Sequence, residues 1–82
     1  MNLVELAEFI VKSIVVKKDN VSVKEFETDE ENTTLIQVLV DSEDIGRVIG
    51  KQKRMINSIR TLVQASSSLQ DKGRVRIEVD SF

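Results

Sequence analysis

Ile45 to Ile59 reads IGRVIGKQKRMINSI, and this stretch decides how the rest of the chain is interpreted. Two of the chain's three glycines, Gly46 and Gly50, stand four residues apart within it. Apolar residues recur at helical spacing on both sides of Gly50. Because glycine permits a sharp turn, the pattern predicts a short helix that ends at Gly50 and a longer helix from about residue 53 to residue 66.

Positive charge is concentrated in the same part of the chain. Residues 45–70 contain no acidic residue, although the net charge of the protein is -2. The cations in this segment are Arg47, Lys51, Lys53, Arg54 and Arg60. Acidic residues gather instead in residues 25–31 and 41–44. We expect this separation of charge to attract a polyanion to one face of the protein and repel it from the other.

The remaining sequence predicts one more helix and three strands. Apolar residues at helical spacing predict a first helix that runs from its expected cap, Asn2, to about residue 16. Alternating polarity predicts strands at about 21–28, 35–40 and 74–80, with a polar hairpin loop joining the first two. The order α-β-β-α-α-β predicts a two-layer α+β domain in which three helices cover a three-stranded sheet.

Finer predictions concern the last two helices. Asp41 or Ser42 is expected to cap the first of these helices at its N-terminus. The second helix is expected to bury one apolar face, made by Ile56, Ile59, Leu62 and Val63. The three serines at 66–68 are expected to mark the frayed end of that helix.

Composition narrows the possible functions. The chain has 82 residues, and we expect one domain over residues 1–82, with no room for a second core. Cysteine and histidine are both absent, so we expect no catalytic residues, no metal site and no cofactor. Asp41, Glu43 and Asp44 could bind a hard cation, but capping and solvation explain them better. No apolar run approaches the roughly 18 residues of a membrane span, and a cytoplasmic protein without a membrane partner is expected.

The residues around Gly50 suit a nucleic-acid strand. Backbone N–H groups at the start of the following helix favour a phosphate, and Lys51 and Lys53 add mobile cations at the same place. The candidate residues for holding the RNA backbone are Gly50, Lys51, Gln52, Lys53, Arg54 and Arg47. The candidates for an apolar groove in which bases rest are Ile45, Val48, Ile49 and Ile56. Phosphates on the loop and bases in the groove together predict binding of single-stranded nucleic acid.

The segment resembles the core of a KH domain, whose signature is an apolar V-I-G-x-x-G-x-x-I run between two helices. Val48, Ile49, Gly50 and Ile56 match that signature. The element order resembles the type II arrangement, and the whole chain is similar to small bacterial single-KH proteins of the KhpA family. The resemblance implies a clamp at about residues 42–66 that grips single-stranded RNA. It also implies a homodimer, pairing with a larger KH-containing protein, and a role in RNA metabolism and in cell shape or division.

One residue departs from the KH signature. Lys53 stands where the second glycine of the loop is expected, so the loop reads GKQK. If that position has a positive φ, lysine costs roughly 1 kcal/mol there. If the position only needs to be close to a phosphate, the side chain contributes charge. A protein-interaction or dimerisation scaffold with a degenerate loop and no RNA binding is therefore the alternative function.

Overall fold

A computed structural model describes residues 2–82 as a sheet covered on one face by helices; Met1, the first residue of the expected domain, lies outside the described residues. The helices are α1 (Leu3–Ile14), α2 (Ile45–Ile49) and α3 (Arg54–Leu69), and the strands are β1 (Val21–Glu27), β2 (Thr33–Val40) and β3 (Arg74–Ser81). Single 3₁₀ turns at Ser42–Asp44 and Lys51–Lys53 precede α2 and α3. The predicted two-layer α+β fold and its element order are confirmed. Within residues 2–82, no helix is long and apolar enough to span a membrane.

α1 begins with the predicted capping box. The Glu5 backbone N–H donates to the side chain of Asn2 at 2.7 Å, and the Glu5 carboxylate accepts from the Asn2 backbone N–H at 3.5 Å. The helix ends at Ile14, before the predicted end at about residue 16, because Val15 adopts an extended conformation with φ -79° and ψ 156°. Val15 is buried in the core, so the chain leaves the helix at a residue that still packs inward.

The sheet has the order β1-β2-β3, with β2 in the centre. β1 runs antiparallel to β2, whereas β3 runs parallel to it and pairs Val79 with Val38. Alternate residues of β2, namely Ile36, Val38 and Val40, are buried as predicted. A parallel strand needs a crossover, and here α2 and α3 form it, so the two helices pack on the sheet beside β3.

Two predictions about α3 are wrong. Leu62 was assigned to the buried face, but 55% of its surface is exposed, since it lies about 100° around the helix from its neighbour Val63. The helix also continues through the serines to Leu69 instead of fraying at them. Ser67 is buried, and its hydroxyl donates to the Gly73 carbonyl oxygen at 2.7 Å, which satisfies a polar group at the end of the core.

Candidate nucleic-acid interface

Gly50 sits at the turn between α2 and α3 in a conformation that favours glycine. Its φ is 76° and its ψ is 171°, and its N–H donates to the Gly46 carbonyl oxygen at 2.9 Å. A Cβ atom added to Gly50 would lie 2.6 Å from Cβ of Met55, in the first turn of α3. Both the backbone angle and this close approach therefore require glycine at residue 50.

The next residues form a left-handed turn without glycine. Gln52 has φ 55° and Lys53 has φ 61°, and the Lys53 N–H donates to the Gly50 carbonyl oxygen at 3.2 Å. The position occupied by Lys53 thus does have a positive φ, which costs a non-glycine residue roughly 1–2 kcal/mol. Its side chain is exposed, so the lysine also places a cation on the surface. Local strain and a surface charge coexist at this residue.

The cations of the segment are arranged around this turn. Lys51, Lys53 and Arg54 are exposed, and the Arg54 guanidinium donates to the Gln52 side-chain oxygen at 3.2 Å. On α2, the Arg47 side chain is also largely exposed, with its Nε 3.7 Å from a carboxylate oxygen of Asp44. α3 begins directly after the turn, so the positive end of its dipole faces the same side.

A small pocket lies beside the turn, with a volume of about 190 Å³. Its lining residues come from α2, the turn, α3 and β3: Ile49, Lys53, Ile56, Arg60 and Val79. Ile49 and Ile56, two of the four sequence-predicted groove residues, line it. Val48 is fully buried in the core, and Ile45 is half-buried and packs against the core. Neither of these two lines the pocket.

A larger open groove of about 820 Å³ continues between α3 and β3 and shares Arg60 with the small pocket. The Arg60 guanidinium donates to the Ile77 carbonyl oxygen at 3.3 Å. The Gln64 amide donates to the Gly73 carbonyl oxygen at 3.0 Å and accepts from the Val75 N–H at 2.9 Å. Sequence reasoning missed this wall because β3 reaches α3 only through the parallel crossover. The alternation of Val75, Ile77 and Val79 was its one signal.

A buried carboxylate holds α2 against the end of α1. Asp44 is buried, and its two oxygens accept from the backbone N–H groups of Val16 at 3.0 Å and Lys17 at 2.9 Å. These hydrogen bonds, with a smaller contribution from the Arg47 charge, hold the pKa of Asp44 below its ordinary value despite its burial. Asp44 therefore fixes the base of the helix that leads into the turn.

Asp41 provides the cap that was predicted for either Asp41 or Ser42. One Asp41 oxygen accepts from the Glu43 N–H at 2.9 Å, and the other accepts from the Asn20 side chain at 3.0 Å. These two hydrogen bonds, in that order of importance, lower the pKa of Asp41. Within residues 2–82, no group of three or more Asp, Glu, His or Cys side chains could hold a metal ion. The acidic residues at 41–44 instead organise the start of α2.

Comparison with known proteins agrees with this geometry. The family model described as "KhpA/KhpB, KH domain" matches residues 4–79. The chain is 38% identical over 78 residues to the RNA-binding protein KhpA of Borreliella burgdorferi, which covers 95% of this chain and 92% of that protein. It is 44% identical over 75 residues to the RNA-binding protein KhpA of Listeria monocytogenes, covering 92% of this chain and 95% of that protein.

Solved structures show the same fold. Era from Aquifex aeolicus, and Era in complex with MgGDPNP and nucleotides 1506–1542 of 16S ribosomal RNA, both superpose with a TM-score of 0.68 and 18% identity. Each superposition covers 96% of this chain but 29% of the Era chain, and this identity supports a likeness of fold alone. The resemblance noted in the sequence is confirmed by the family match: the chain belongs to the KhpA/KhpB KH-domain family.

Proposed function

We propose that this protein binds single-stranded RNA and catalyses no reaction. The observation that carries the proposal is the position of Lys53, which belongs to the turn after Gly50 and also lines the small pocket. One residue thus connects a place suited to phosphate with a place suited to a base. Membership of a family whose relatives are named RNA-binding proteins supports the same function.

The phosphate contacts are assigned to the turn and the two helix ends beside it. The proposed residues are Gly50, Lys51, Gln52, Lys53, Arg54 and Arg47. Lys51 and Lys53 are exposed and form no ion pair with an acidic side chain among the described residues. Free cations at a left-handed turn before a 16-residue helix favour an anion at the same point, because the helix dipole adds to the side-chain charge.

The bases are assigned to the pocket and groove beside the turn. Ile49, Ile56 and Val79 give the pocket apolar walls, and its volume of about 190 Å³ is below the range for drug-sized ligands, as suits one base. The three phenylalanines lie elsewhere: Phe9 in α1, Phe26 in β1 and Phe82 at the C-terminal end. Apolar packing and hydrogen bonds, without aromatic stacking, are therefore the proposed mode of base contact.

The proposal extends to the whole chain through the family resemblance. Residues 1–82 would act as one KH domain, with the clamp at about residues 42–66. Homodimer formation and pairing with a larger KH-containing protein, both implied by the resemblance, would place two RNA sites in one assembly and strengthen weak single-site binding. The proposed role is regulation of RNA metabolism in the cytoplasm of bacteria, with effects on cell shape or division.

A second candidate is a protein-interaction scaffold without RNA binding. The observation that favours it is the outer face of α3, where Leu62 is 55% exposed and Leu69 is 89% exposed. Exposed apolar side chains on one helix suit a protein partner. Under this alternative, the left-handed strain at Lys53 would mark a loop that no longer binds RNA.

Titration of a labelled pool of short single-stranded RNA, at several salt concentrations, tests the proposal. If about three phosphates are neutralised, affinity should fall about 20-fold between 50 and 200 mM salt. The test variant carries Lys51→Glu and Lys53→Glu. Its matched control carries Lys24→Glu and Lys72→Glu, which make the same change of net charge at exposed lysines outside the turn.

The outcomes separate the two candidates. Loss of binding in the Lys51/Lys53 variant, with binding kept in the Lys24/Lys72 control, supports RNA binding at the turn. Equal losses in both variants would show a general charge effect and contradict the assigned site. If the wild type does not bind RNA but forms a dimer that the Lys51/Lys53 variant also forms, the scaffold is the correct function.

A further inference from the structure

The outer edge of β3 is already partly occupied by side chains of α3. In β3 the even-numbered residues pair with β2, as shown by the Arg74 N–H on the Asn32 carbonyl oxygen and the Phe82 N–H on the Val40 carbonyl oxygen. Backbone groups alternate in direction along a strand, so those of the odd-numbered residues point away from β2. They face the groove that α3 borders.

These outward groups form successive pairs, each made of one carbonyl oxygen and the N–H two residues later. Gln64 occupies the pair made by Gly73 and Val75, since its amide both donates at 3.0 Å and accepts at 2.9 Å. Arg60, one helical turn earlier on α3, donates to the Ile77 carbonyl oxygen of another pair at 3.3 Å. The two side chains therefore cover alternate parts of the same edge.

One complete pair lies between them. The Val75 carbonyl oxygen and the Ile77 N–H point into the groove, and neither is bonded to a side chain within residues 2–82. A partner β-strand needs several consecutive pairs, and its approach is obstructed on both sides. A base needs only one acceptor next to one donor on its edge, together with room for a planar ring.

We propose that Arg60 and Gln64 limit sequence reading to a single nucleotide, whose base pairs with the Val75 carbonyl oxygen and the Ile77 N–H. This inference rests on the proposed RNA-binding function. Arg60 and Gln64 are specificity-determining residues in this account, because each covers a backbone pair that would otherwise read a neighbouring base. The other nucleotides of the bound strand are held by phosphate contacts and apolar packing, which accept any sequence.

The test uses RNA of nearly uniform sequence, so that sliding of the strand does not blur the result. Affinity is first measured for the four homopolymers, and the weakest becomes the host. One guest base is then introduced, followed by two adjacent guest bases in every combination. For the wild type, the best single guest should raise affinity roughly 5-fold or more, the discrimination expected of one good hydrogen-bonded pair. A second guest should add about twofold or less, the statistical gain from a second place to bind.

Substitution should change this number. Gln64→Ala uncovers the pair at Gly73 and Val75, and Arg60→Ala uncovers the Ile77 carbonyl oxygen beside the Val79 N–H. In each variant a second adjacent guest should then add roughly 5-fold or more. Arg60→Ala should also bind more weakly overall because it removes a cation. Thr61→Ala is the control, since Thr61 lines the same groove but donates only to the Asn57 carbonyl oxygen of its own helix.

Several results would overturn the inference. A wild type that gains roughly 5-fold or more from the second guest reads two bases. Variants that fold but still read one base would show that Arg60 and Gln64 do not set the number. If no homopolymer binds, the proposed function itself fails, and this result is distinct from binding with the wrong number of read positions.

Hydrogen exchange of the wild type gives a second readout that does not depend on the variants. The amide of Ile77 should exchange quickly in the free protein and slowly with RNA bound, whereas the amide of Val75, already bonded to Gln64, should change little. An Ile77 amide that RNA does not protect would contradict the proposal. Protection that instead rises with protein concentration, without RNA, would show a protein strand at this edge and would also contradict it.

Discussion

The backbone of Gly50 packs directly against Met55, so that a Cβ atom on Gly50 would lie 2.6 Å from the Met55 Cβ atom and 2.8 Å from its backbone nitrogen. This approach brings the end of α2 against the first turn of α3 and fixes the turn between them. Since the neighbouring atoms belong to the backbone and to a Cβ, they cannot swing aside as the end of a flexible side chain could.

Gly50→Ala should therefore destabilise the protein by roughly 2–4 kcal/mol, through the positive φ and the overlap with Met55. Thermal denaturation measures this loss, and RNA titration should show weaker binding because the turn moves. Gly46→Ala is the matched control, because nothing lies within 4 Å of a Cβ atom there. Gly46→Ala should stabilise α2 by about 0.5–1 kcal/mol, and equal losses in the two variants would contradict the account.

Lys53→Gly should stabilise the fold and weaken RNA binding. The left-handed φ of 61° suits glycine, so stability should rise by about 1 kcal/mol, which is about 4–8 °C in Tm for a domain of this size. Loss of the cation should reduce the logarithmic salt dependence of RNA affinity by about 0.7.

The control for that prediction is Lys51→Gly, which removes the same charge from a residue without a positive φ. This variant should lose about 0.5–1 kcal/mol of stability, since glycine adds conformational entropy to the unfolded chain. If the two glycine variants shifted Tm in the same direction, the assigned strain at Lys53 would be incorrect.

The Asp44 carboxylate should make stability depend on pH in the acid range. Because folding lowers its pKa, the stabilisation is fully present above the unfolded value of about 3.9 and is lost as pH falls through the folded value. Tm measured between about pH 2 and pH 6 should therefore fall steeply at the acid end for the wild type. Asp41, whose pKa is also lowered, adds to the same slope.

Asp44→Asn should lower Tm by several degrees near neutral pH and flatten this dependence, because its amide N–H₂ cannot accept from the N–H groups of Val16 and Lys17. Asp29→Asn, at an exposed residue of the hairpin loop, is the charge-matched control and should leave both quantities close to those of the wild type. An unchanged acid slope in Asp44→Asn would contradict the anchoring role.

Ser67 should be the serine that matters in the run at 66–68. Its buried hydroxyl donates to the Gly73 carbonyl oxygen at 2.7 Å, so Ser67→Ala should cost about 0.5–1.5 kcal/mol. Urea denaturation measures the difference. Ser58→Ala, at an exposed serine whose hydroxyl bonds only within its own helix, should change stability by less than about 0.5 kcal/mol.

Local sequence patterns predicted much of this structure because helices, strands and caps are determined over a few residues. The capping box at Asn2 and Glu5, the alternation in β2 and the stop at Gly50 are all of that kind. The faces of α3 were harder, since Leu62 and Val63 are adjacent in sequence but about 100° apart around the helix, and only packing decides which is buried.

The candidate site depends more on distant parts of the chain. The φ of Lys53 could not be predicted, because lysine gives no signal of a left-handed conformation. Arg60 and Gln64 could not be assigned to the groove wall before β3 was placed parallel to β2, which brings residues 73–79 alongside α3. The sequence indicated the charge of the interface, and the tertiary structure supplied its shape.

The central claim is that RNA lies on the turn after Gly50 and along the groove between α3 and β3. Nuclear magnetic resonance of the ¹⁵N-labelled protein, titrated with a short single-stranded RNA, tests it most directly. The account predicts that amide shifts concentrate in residues 49–56 and 75–79 and decline as salt is raised. Shifts confined to the acidic hairpin at residues 28–33, or to the outer face of α3 around Leu62, would contradict it.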